Sequence, residues 1–160
     1  AGHHPRVMIK FLRGFRFAAA GIVHGFYERN FRVHICAVGF VTWFALRFYE
    51  LSRAEWAALL LTFAAVVSAE LFNTAAERLC DKVSPENDEH IRLCKDCAAG
   101  AVLVCAVFAV IIGAVLFWDE ERFAAVGEHF LAAPGRFVWL GIAVIAAAVF
   151  VFLPERFKNK

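Results

Sequence analysis

Residues 69–81 read Ala-Glu-Leu-Phe-Asn-Thr-Ala-Ala-Glu-Arg-Leu-Cys-Asp and decide the fold of this chain. They close a long segment that is otherwise almost wholly apolar. At about 100° per residue, Glu70, Asn73, Glu77 and Asp81 fall within an arc of roughly 80° on one helical face. Carboxylates are costly in a helix surrounded by lipid, so this polar stripe predicts a functional site. The alternative is structural, with buried acids neutralised by arginine or lysine partners in a helix bundle.

The composition predicts a membrane protein. Of the 160 residues, 61% are hydrophobic and 15% are aromatic, and the mean hydropathy is +0.62. These values are too apolar for an ordinary soluble domain. No P-loop and no dinucleotide-binding glycine motif occurs in the sequence, so neither of these folds is indicated. No nucleic-acid partner is predicted.

The hydropathy pattern predicts an all-α integral-membrane helical bundle with an N-terminal amphipathic surface helix. Residues 9–29 combine basic and aromatic side chains, as in a helix that lies on an anionic membrane surface. Three apolar stretches at 33–49, 55–79 and 97–118 are long enough to be transmembrane helices, and 138–153 is a shorter fourth span.

The distribution of lysine and arginine predicts the orientation of the spans. Thirteen of the 17 basic residues precede the first span, lie between spans two and three, or lie in the tail, and four lie on the other side. The positive-inside rule places the more basic side in the cytoplasm. We therefore predict a multi-pass protein of the bacterial cytoplasmic (inner) membrane, with its N-terminus and its polar stripe on the cytoplasmic side, where ATP is found.

The residue types of the stripe suit phosphoryl transfer to a membrane-buried alcohol. Its carboxylates, with Glu28 on the preceding segment as a fourth, are hard oxygen ligands of the kind that Mg²⁺ takes together with substrate phosphates. A lysine beside them neutralises a transferring phosphoryl group. A deeper carboxylate accepts the proton of a lipid hydroxyl. A proton or cation pathway also uses intramembrane acids, so the spacing alone leaves both functions open.

Several motifs resemble the prokaryotic diacylglycerol kinase family. Residues 69–81 resemble its Glu-x-x-Asn-Thr-Ala-x-Glu-x-x-x-Asp helix, and Ser-Pro-Glu follows at 84–86. Residues 94–103, Cys-Lys-Asp-Cys-Ala-Ala-Gly-Ala-Val-Leu, resemble its Ala-Lys-Asp-x-Ala-Ala-Gly-Ala-Val segment. Two further motifs resemble the branch of this family that includes undecaprenol kinases: Glu-Arg-Asn-Phe-Arg-Val-His at 28–34 and Leu-Ser-Arg-Ala-Glu-Trp at 51–56.

The resemblance implies a role for individual residues. Glu70 matches the catalytic base that acts on the lipid hydroxyl, and Glu28 and Glu77 match the metal-binding carboxylates. Positions that hold the nucleotide or organise the site are matched by Asn73, Asp81, Glu86, Lys95 and Asp96, and more loosely by Arg16.

The resemblance also implies the cofactor, the partners and the domain layout. Mg²⁺ is expected as cofactor, with ATP as co-substrate, a membrane lipid alcohol as acceptor and a homotrimer with shared active sites. Undecaprenol is the predicted acceptor, diacylglycerol is the alternative, and a non-catalytic or ion-handling bundle is the further alternative. Residues 8–118 are predicted to form the kinase domain, and 119–160 an extracytoplasmic loop, the fourth span and a basic tail. Residues 1–7, which do not begin with Met, are interpreted as a tag or an unordered start.

Some reactive side chains are interpreted as structural. Cys94 and Cys97 form a Cys-x-x-Cys pair that resembles a redox or zinc half-site, and Cys80 is expected nearby at the same cytoplasmic interface. A zinc site needs a fourth ligand, for which His90 is the one close candidate. On the reducing side of the membrane we expect these cysteines to be small packing residues. His34 begins the first span and is interpreted as a cap or an interfacial anchor.

Overall fold

The computed structural model describes the backbone of residues 4–83 and 88–154, and the side chains from residue 12 onward within these ranges. This part of the chain is mostly helical and contains no strand. The helices, in chain order, are α1 (His4–Gly25), α2 (Arg29–Phe48), α3 (Arg53–Val83), α4 (Glu89–Phe117), α5 (Glu120–Leu131) and α6 (Gly135–Val151). Helices α2, α3 and α4 are long and apolar enough to cross a membrane, and the bent pair α5–α6 provides up to a fourth span. The predicted all-α membrane bundle is confirmed.

Helices α3 and α4 are longer than the spans that hydropathy predicts. Helix α3 has 31 residues and α4 has 29. A helix of 31 residues is about 46 Å long, whereas the hydrocarbon layer of a bilayer is about 30 Å thick. The predicted spans stop just before Asp81 and begin again just after Asp96, but the helical hydrogen bonding continues past both residues. The polar ends of the α3–α4 hairpin therefore extend beyond the hydrocarbon as regular helix.

Side-chain caps explain where three of the helices begin. Ser52 and Glu55 form a capping box on α3, in which the Ser52 amide donates to Glu55 Oε2 at 2.7 Å and the Glu55 amide donates to Ser52 Oγ at 3.3 Å. Asp88 accepts hydrogen bonds from two amides in the first turn of α4. Asp119 accepts one from the amide of Arg122 in α5. Each cap satisfies amides that have no partner within the helix.

Helix α5 was not predicted. It lies in the stretch for which the sequence predicted an extracytoplasmic loop. It is followed by α6 after a bend of 100°. Pro134 stands immediately before α6 and has no amide hydrogen to continue α5. Helix α5 packs against the end of α2, where the ring of Phe48 meets that of His129 at 5.3 Å between centroids.

The helices pack so that most apolar side chains remain uncovered. The α3–α4 hairpin makes the most extensive helix contact, while α2 packs against α3 and α6, and α1 packs against α3. Phe31 and Leu59 are the largest fully buried side chains. No residue of α4 or α6 is buried. Apolar faces of this size are covered by lipid or by other membrane helices, as expected of a small bundle in a bilayer.

Arg32 connects two segments that are far apart in the sequence, the start of α2 and the end of α6. Only 2% of this residue is exposed, and its guanidinium donates to the carbonyls of Val151 and Leu153 at the end of α6, at distances of 2.7–3.2 Å. It also donates to the carbonyls of Phe26 and Tyr27, at 3.1 and 3.2 Å, in the turn before α2. The last carbonyls of α6 have no partner within their helix, and Arg32 supplies one. Helix α6 thus ends beside the start of α2.

Candidate active site

The polar stripe of α3 runs from a buried position to the projecting end of the helix. Glu70 is 2% exposed and Asn73 is 5% exposed, whereas Glu77 and Asp81 are exposed. The 3.6-residue period of the helix places all four on one face, and α2 covers the deeper part of that face. The stripe therefore presents one buried carboxylate below a set of accessible polar groups.

His34 of α2 is the nearest basic side chain to Glu70 among the described residues. The distance from His34 Nδ1 to Glu70 Oε2 is 4.0 Å, and Nδ1 also lies 2.9 Å from the carbonyl oxygen of Asn30 in its own helix. The other groups that act electrostatically on Glu70 include Glu77 and Glu28. The interpretation of His34 as an anchor missed this proximity to the predicted catalytic base. Its position in the Glu-Arg-Asn-x-Arg-x-His motif was the available signal.

Asn73 links the buried and exposed parts of the stripe. Its Nδ2 donates a hydrogen bond of 3.0 Å to Glu77 Oε1, one turn further along α3. Its Oδ1 is buried and has no hydrogen-bond partner within the described part of the chain. A buried oxygen without a donor is costly unless a ligand or an ion satisfies it. This oxygen, together with the Glu77 carboxylate, is a hard donor set that fits a cation such as Mg²⁺.

Glu28 reaches the stripe through Arg78 of α3. The Arg78 guanidinium donates to Glu28 Oε1 at 2.6 Å. Close packing at the end of α1 makes this possible, because a Cβ added at Gly25 would lie 2.8 Å from Leu71 and 3.1 Å from Phe31. The glycine therefore lets α1 end directly on α3, and Glu28 follows three residues later. The pairing of Arg78 with Glu28 was not predicted from the sequence, because the two residues lie 50 positions apart.

Lys95 and Asp81 form the ion pair that closes the α3–α4 hairpin. The distance from Lys95 Nζ to Asp81 Oδ1 is 2.5 Å, and both side chains are substantially exposed. Glu77 and Cys80 also act on Lys95 electrostatically, so the lysine lies over the exposed half of the stripe. An exposed pair of this kind contributes little to stability, about 0–1 kcal/mol. Its lysine and carboxylate therefore remain available for a ligand.

The other predicted site residues are not joined to this cluster by a described contact. Asp96 is exposed next to Lys95 on α4. Arg16 is exposed on α1, with its guanidinium carbon 5.7 Å from the centre of the Phe17 ring. Glu86 lies outside the described residues. Among those that are described, no group of three or more His, Cys, Asp or Glu side chains is arranged to hold a metal ion. The described residues of one chain therefore do not by themselves assemble a metal site.

The cysteines near the hairpin are all free thiols. Cys80 is buried, while Cys94 and Cys97 are exposed. The Cys80 thiol interacts electrostatically with Cys94, which stands one residue before Lys95. The described cysteines form no disulfide, and with His90 they make no metal cluster within the described ranges.

Comparison with known proteins gives the family of this chain. Residues 16–117 match the family model described as prokaryotic diacylglycerol kinase. The diacylglycerol kinase of Synechocystis sp. is 42% identical over 108 residues, which cover 66% of this chain and 61% of that protein. The undecaprenol kinase of Bacillus subtilis is 36% identical over 121 residues, which cover 71% of this chain and 93% of that protein. No solved structure matches significantly.

These findings define the class as membrane lipid kinases. The chain belongs to the prokaryotic diacylglycerol kinase family, because the family model covers more than half of its length, from α1 to the end of α4. The predicted family is therefore confirmed, and with it the enzyme class. Helices α5 and α6 lie outside the matched residues.

Proposed function

We propose that this protein transfers the γ-phosphoryl group of ATP directly to the hydroxyl group of a membrane lipid. The observation that carries the proposal is the state of Glu70. This carboxylate is buried in a membrane helix, yet within the described residues it accepts no hydrogen bond, and its nearest basic neighbour is 4.0 Å away. A carboxylate that is neither hydrogen-bonded nor closely ion-paired is free to accept a proton from a substrate at the same depth.

The proposed reaction is a single displacement. Glu70 takes the proton of the lipid hydroxyl as its oxygen forms a bond to the γ-phosphorus, and the bond from that phosphorus to the β–γ bridging oxygen breaks to release ADP. Positioning and electrostatics supply most of the catalysis in phosphoryl transfer. The stripe supports both, because its deep end meets the lipid and its exposed end meets the nucleotide.

We propose that Glu28 and Glu77 hold Mg²⁺, with the unpartnered Oδ1 of Asn73 as a further oxygen ligand. When bound there, Mg²⁺ would offset the negative charge that develops on the phosphoryl group during transfer. This ion requires only one or two protein carboxylates when phosphates complete its coordination. Glu77 also has Asn73 as a hydrogen-bond donor, which orients its carboxylate (3.0 Å).

The exposed half of the site is proposed to bind ATP. Lys95 carries the positive charge nearest to the stripe, and Asp81 holds it in place at 2.5 Å until phosphate oxygens replace the carboxylate. The remaining residues that we assign to the nucleotide are those implied by the family motifs: Asp96, Glu86 and Arg16.

We further propose that the functional unit is a homotrimer in the cytoplasmic membrane, with the site on the cytoplasmic side. Two observations support sharing of the site between subunits. No residue of α4 is buried within one chain. The described part of one chain also lacks a complete set of metal ligands. A neighbouring subunit that packs on the bare helix faces would cover them and complete the site.

Undecaprenol is the proposed acceptor. The chain aligns with 93% of the undecaprenol kinase of Bacillus subtilis, and the motif Glu-Arg-Asn-Phe-Arg-Val-His at 28–34 places His34 beside Glu70. The higher identity, 42%, is to a diacylglycerol kinase, over 61% of that protein. Diacylglycerol is therefore the competing acceptor that an assay has to include.

The test is radiolabelled phosphate transfer from ATP in detergent micelles that contain undecaprenol and diacylglycerol together. We expect Mg²⁺-dependent labelling of undecaprenol, and its loss in Glu70→Gln. Preferential labelling of diacylglycerol would overturn the acceptor and leave the reaction standing. Absence of labelling of either lipid by folded protein, with ion flux in liposomes instead, would overturn the kinase in favour of an ion-handling bundle.

A further inference from the structure

A cavity lies away from the active site, between α2, α5 and α6. Its volume is about 530 Å³, which is within the usual range for a small-molecule site. The lining is almost wholly apolar and includes Phe40 and Trp43 of α2 and Trp139, Leu140 and Val144 of α6. Two of its three walls belong to α5 and α6, which the family model does not cover.

Two arginines meet at one end of this groove. Arg47 Nη2 lies 2.9 Å from His129 Nδ1, and Arg136 Nη1 lies 3.2 Å from the same nitrogen. Both guanidinium groups are obligate donors, so Nδ1 must be the acceptor and the imidazole is neutral in this arrangement. Arg136 also donates to the carbonyl oxygen of His129. Neither arginine lies within ion-pair distance of a carboxylate among the described residues.

The position of the arginines fixes the kind of ligand that the groove suits. Two converging guanidinium groups without a carboxylate are a binding arrangement for a phosphate or another anion. The rest of the groove is apolar and extends along α6 from Arg136 to Ala147. Eleven helical residues rise about 16 Å, which is close to half of a hydrocarbon layer about 30 Å thick. The groove therefore has the length of one leaflet.

We propose that this groove binds one anionic phospholipid, with an acyl chain along α2 and α6 and the head-group phosphate between Arg47 and Arg136. The charge at the mouth and the length of the groove select the ligand together: a zwitterionic lipid brings a cationic head group that the two guanidinium groups repel, and a water-soluble anion leaves the apolar walls exposed. The site is separate from Glu70 and does not depend on the kinase reaction.

Native mass spectrometry of the full-length protein, titrated with phosphatidylglycerol and phosphatidylcholine of the same acyl chains, tests the proposal. We expect the wild-type chain to retain phosphatidylglycerol in preference to phosphatidylcholine. Arg47→Gln with Arg136→Gln is expected to weaken phosphatidylglycerol binding by about tenfold or more, since charge-assisted hydrogen bonds are lost. Arg53→Gln is the matched control, because Arg53 is an exposed arginine at the start of α3, outside the groove.

A second variant fills the groove without removing charge. A Cβ at Gly39 would meet no atom within 4 Å, and this residue lines the cavity, so Gly39→Leu adds volume inside the groove. We expect it to reduce lipid binding while circular dichroism and the thermal midpoint remain as in wild type. Equal retention of the two lipids, or full phosphatidylglycerol selectivity in the double arginine variant, would refute the site. A change of oligomeric mass in Gly39→Leu without loss of lipid would show that a second copy of the chain covers the groove.

Discussion

The two ends of the helical bundle hold their charged side chains in different ways. Near the candidate active site, carboxylates face cations, as in the pairs Glu28–Arg78 and Asp81–Lys95. At the opposite end, arginines contact neutral groups, and Arg122 donates to the carbonyl of Phe48 at 3.2 Å. The first end can exchange an ionic partner for a phosphate or a metal ion, because each pair contains groups that also bind those ligands.

Within the active-site end, one acid differs from the others because it has no closely paired cation, and this acid is the predicted catalytic base Glu70. Glu28 and Asp81 each have a basic partner within 2.6 Å, whereas the nearest basic group to Glu70 is 4.0 Å away. The structural interpretation of the stripe requires every buried acid to be neutralised. Glu70 does not meet that requirement, and its surroundings favour a functional role.

The largest effect is expected for Glu70→Gln. The amide keeps the shape of the side chain but cannot accept the lipid proton, so kcat should fall by about 10²–10⁴-fold. Initial rates of phosphate transfer at saturating ATP and lipid measure this change. Glu50→Gln, at an exposed glutamate just after α2, is the control and should retain wild-type activity. Equal activity of Glu70→Gln and wild type would show that Glu70 is not the base. The proposed functional difference between the two ends of the bundle would then lose its main support.

A smaller effect is expected for Glu77→Gln. If Glu77 binds Mg²⁺ beside Asn73 Oδ1, its replacement should raise the half-saturating Mg²⁺ concentration by about 10–100-fold, in the range found for perturbed metal sites. Excess Mg²⁺ should restore part of the rate. The same Mg²⁺ titration with Glu70→Gln separates the two roles, because a base variant loses kcat with unchanged Mg²⁺ dependence. Unchanged Mg²⁺ dependence in Glu77→Gln would assign the metal to other residues.

How far the sequence predicts this structure depends on the distance between partners along the chain. The stripe was predictable because its four members share one helix, where a fixed period relates sequence to position. The proximity of His34 to Glu70 was not, since it depends on how α2 is rotated against α3. Gly25 is a second example. A residue without a Cβ is required there because Leu71 packs against it, and the sequence does not show that contact.

Helix α5 was missed for a different reason. Hydropathy shows apolar spans, and α5 is too polar to stand out in that pattern. Its start was nevertheless marked, because Asp119 is a favourable N-cap and the acidic residues Glu120 and Glu121 suit the first turn. Capping signals thus supply information in the polar connections, where hydropathy has none.

Arg32→Gln tests whether the fourth span supports the active-site end. Glutamine is too short to reach the carbonyls of both Tyr27 and Val151, so buried acceptors lose their donors. The expected loss is about 1–3 kcal/mol of stability, seen as a lower thermal midpoint in detergent. Because the turn at Tyr27 leads into Glu28, activity at a temperature where the variant is folded should also fall. Arg29→Gln is the control, at an exposed arginine one turn away.

The outcome has a clear alternative. A lower thermal midpoint with wild-type kcat and wild-type Mg²⁺ dependence would mean that Arg32 only fastens α6 to the bundle. Loss of activity in the folded variant would instead show that the carbonyl contacts of Arg32 position the turn that carries Glu28. A change in thermal midpoint alone would mean that the functional difference between the two ends of the bundle depends only on the side chains of the stripe.

The smallest effect is expected for Ser52→Ala, at the end of the bundle without catalytic groups. The substitution removes the hydroxyl that caps the Glu55 amide and leaves the other half of the capping box. Loss of an N-cap serine costs about 1 kcal/mol, so the thermal midpoint should fall slightly. Phosphate transfer should be unchanged, because α3 is continuous from this cap to Glu70 and fraying of its first turn stays local. Ser52→Asp is the matched variant, since aspartate also caps and should preserve the midpoint. A drop in kcat for Ser52→Ala would show that the two ends of α3 are coupled, and the separation drawn between them would then fail.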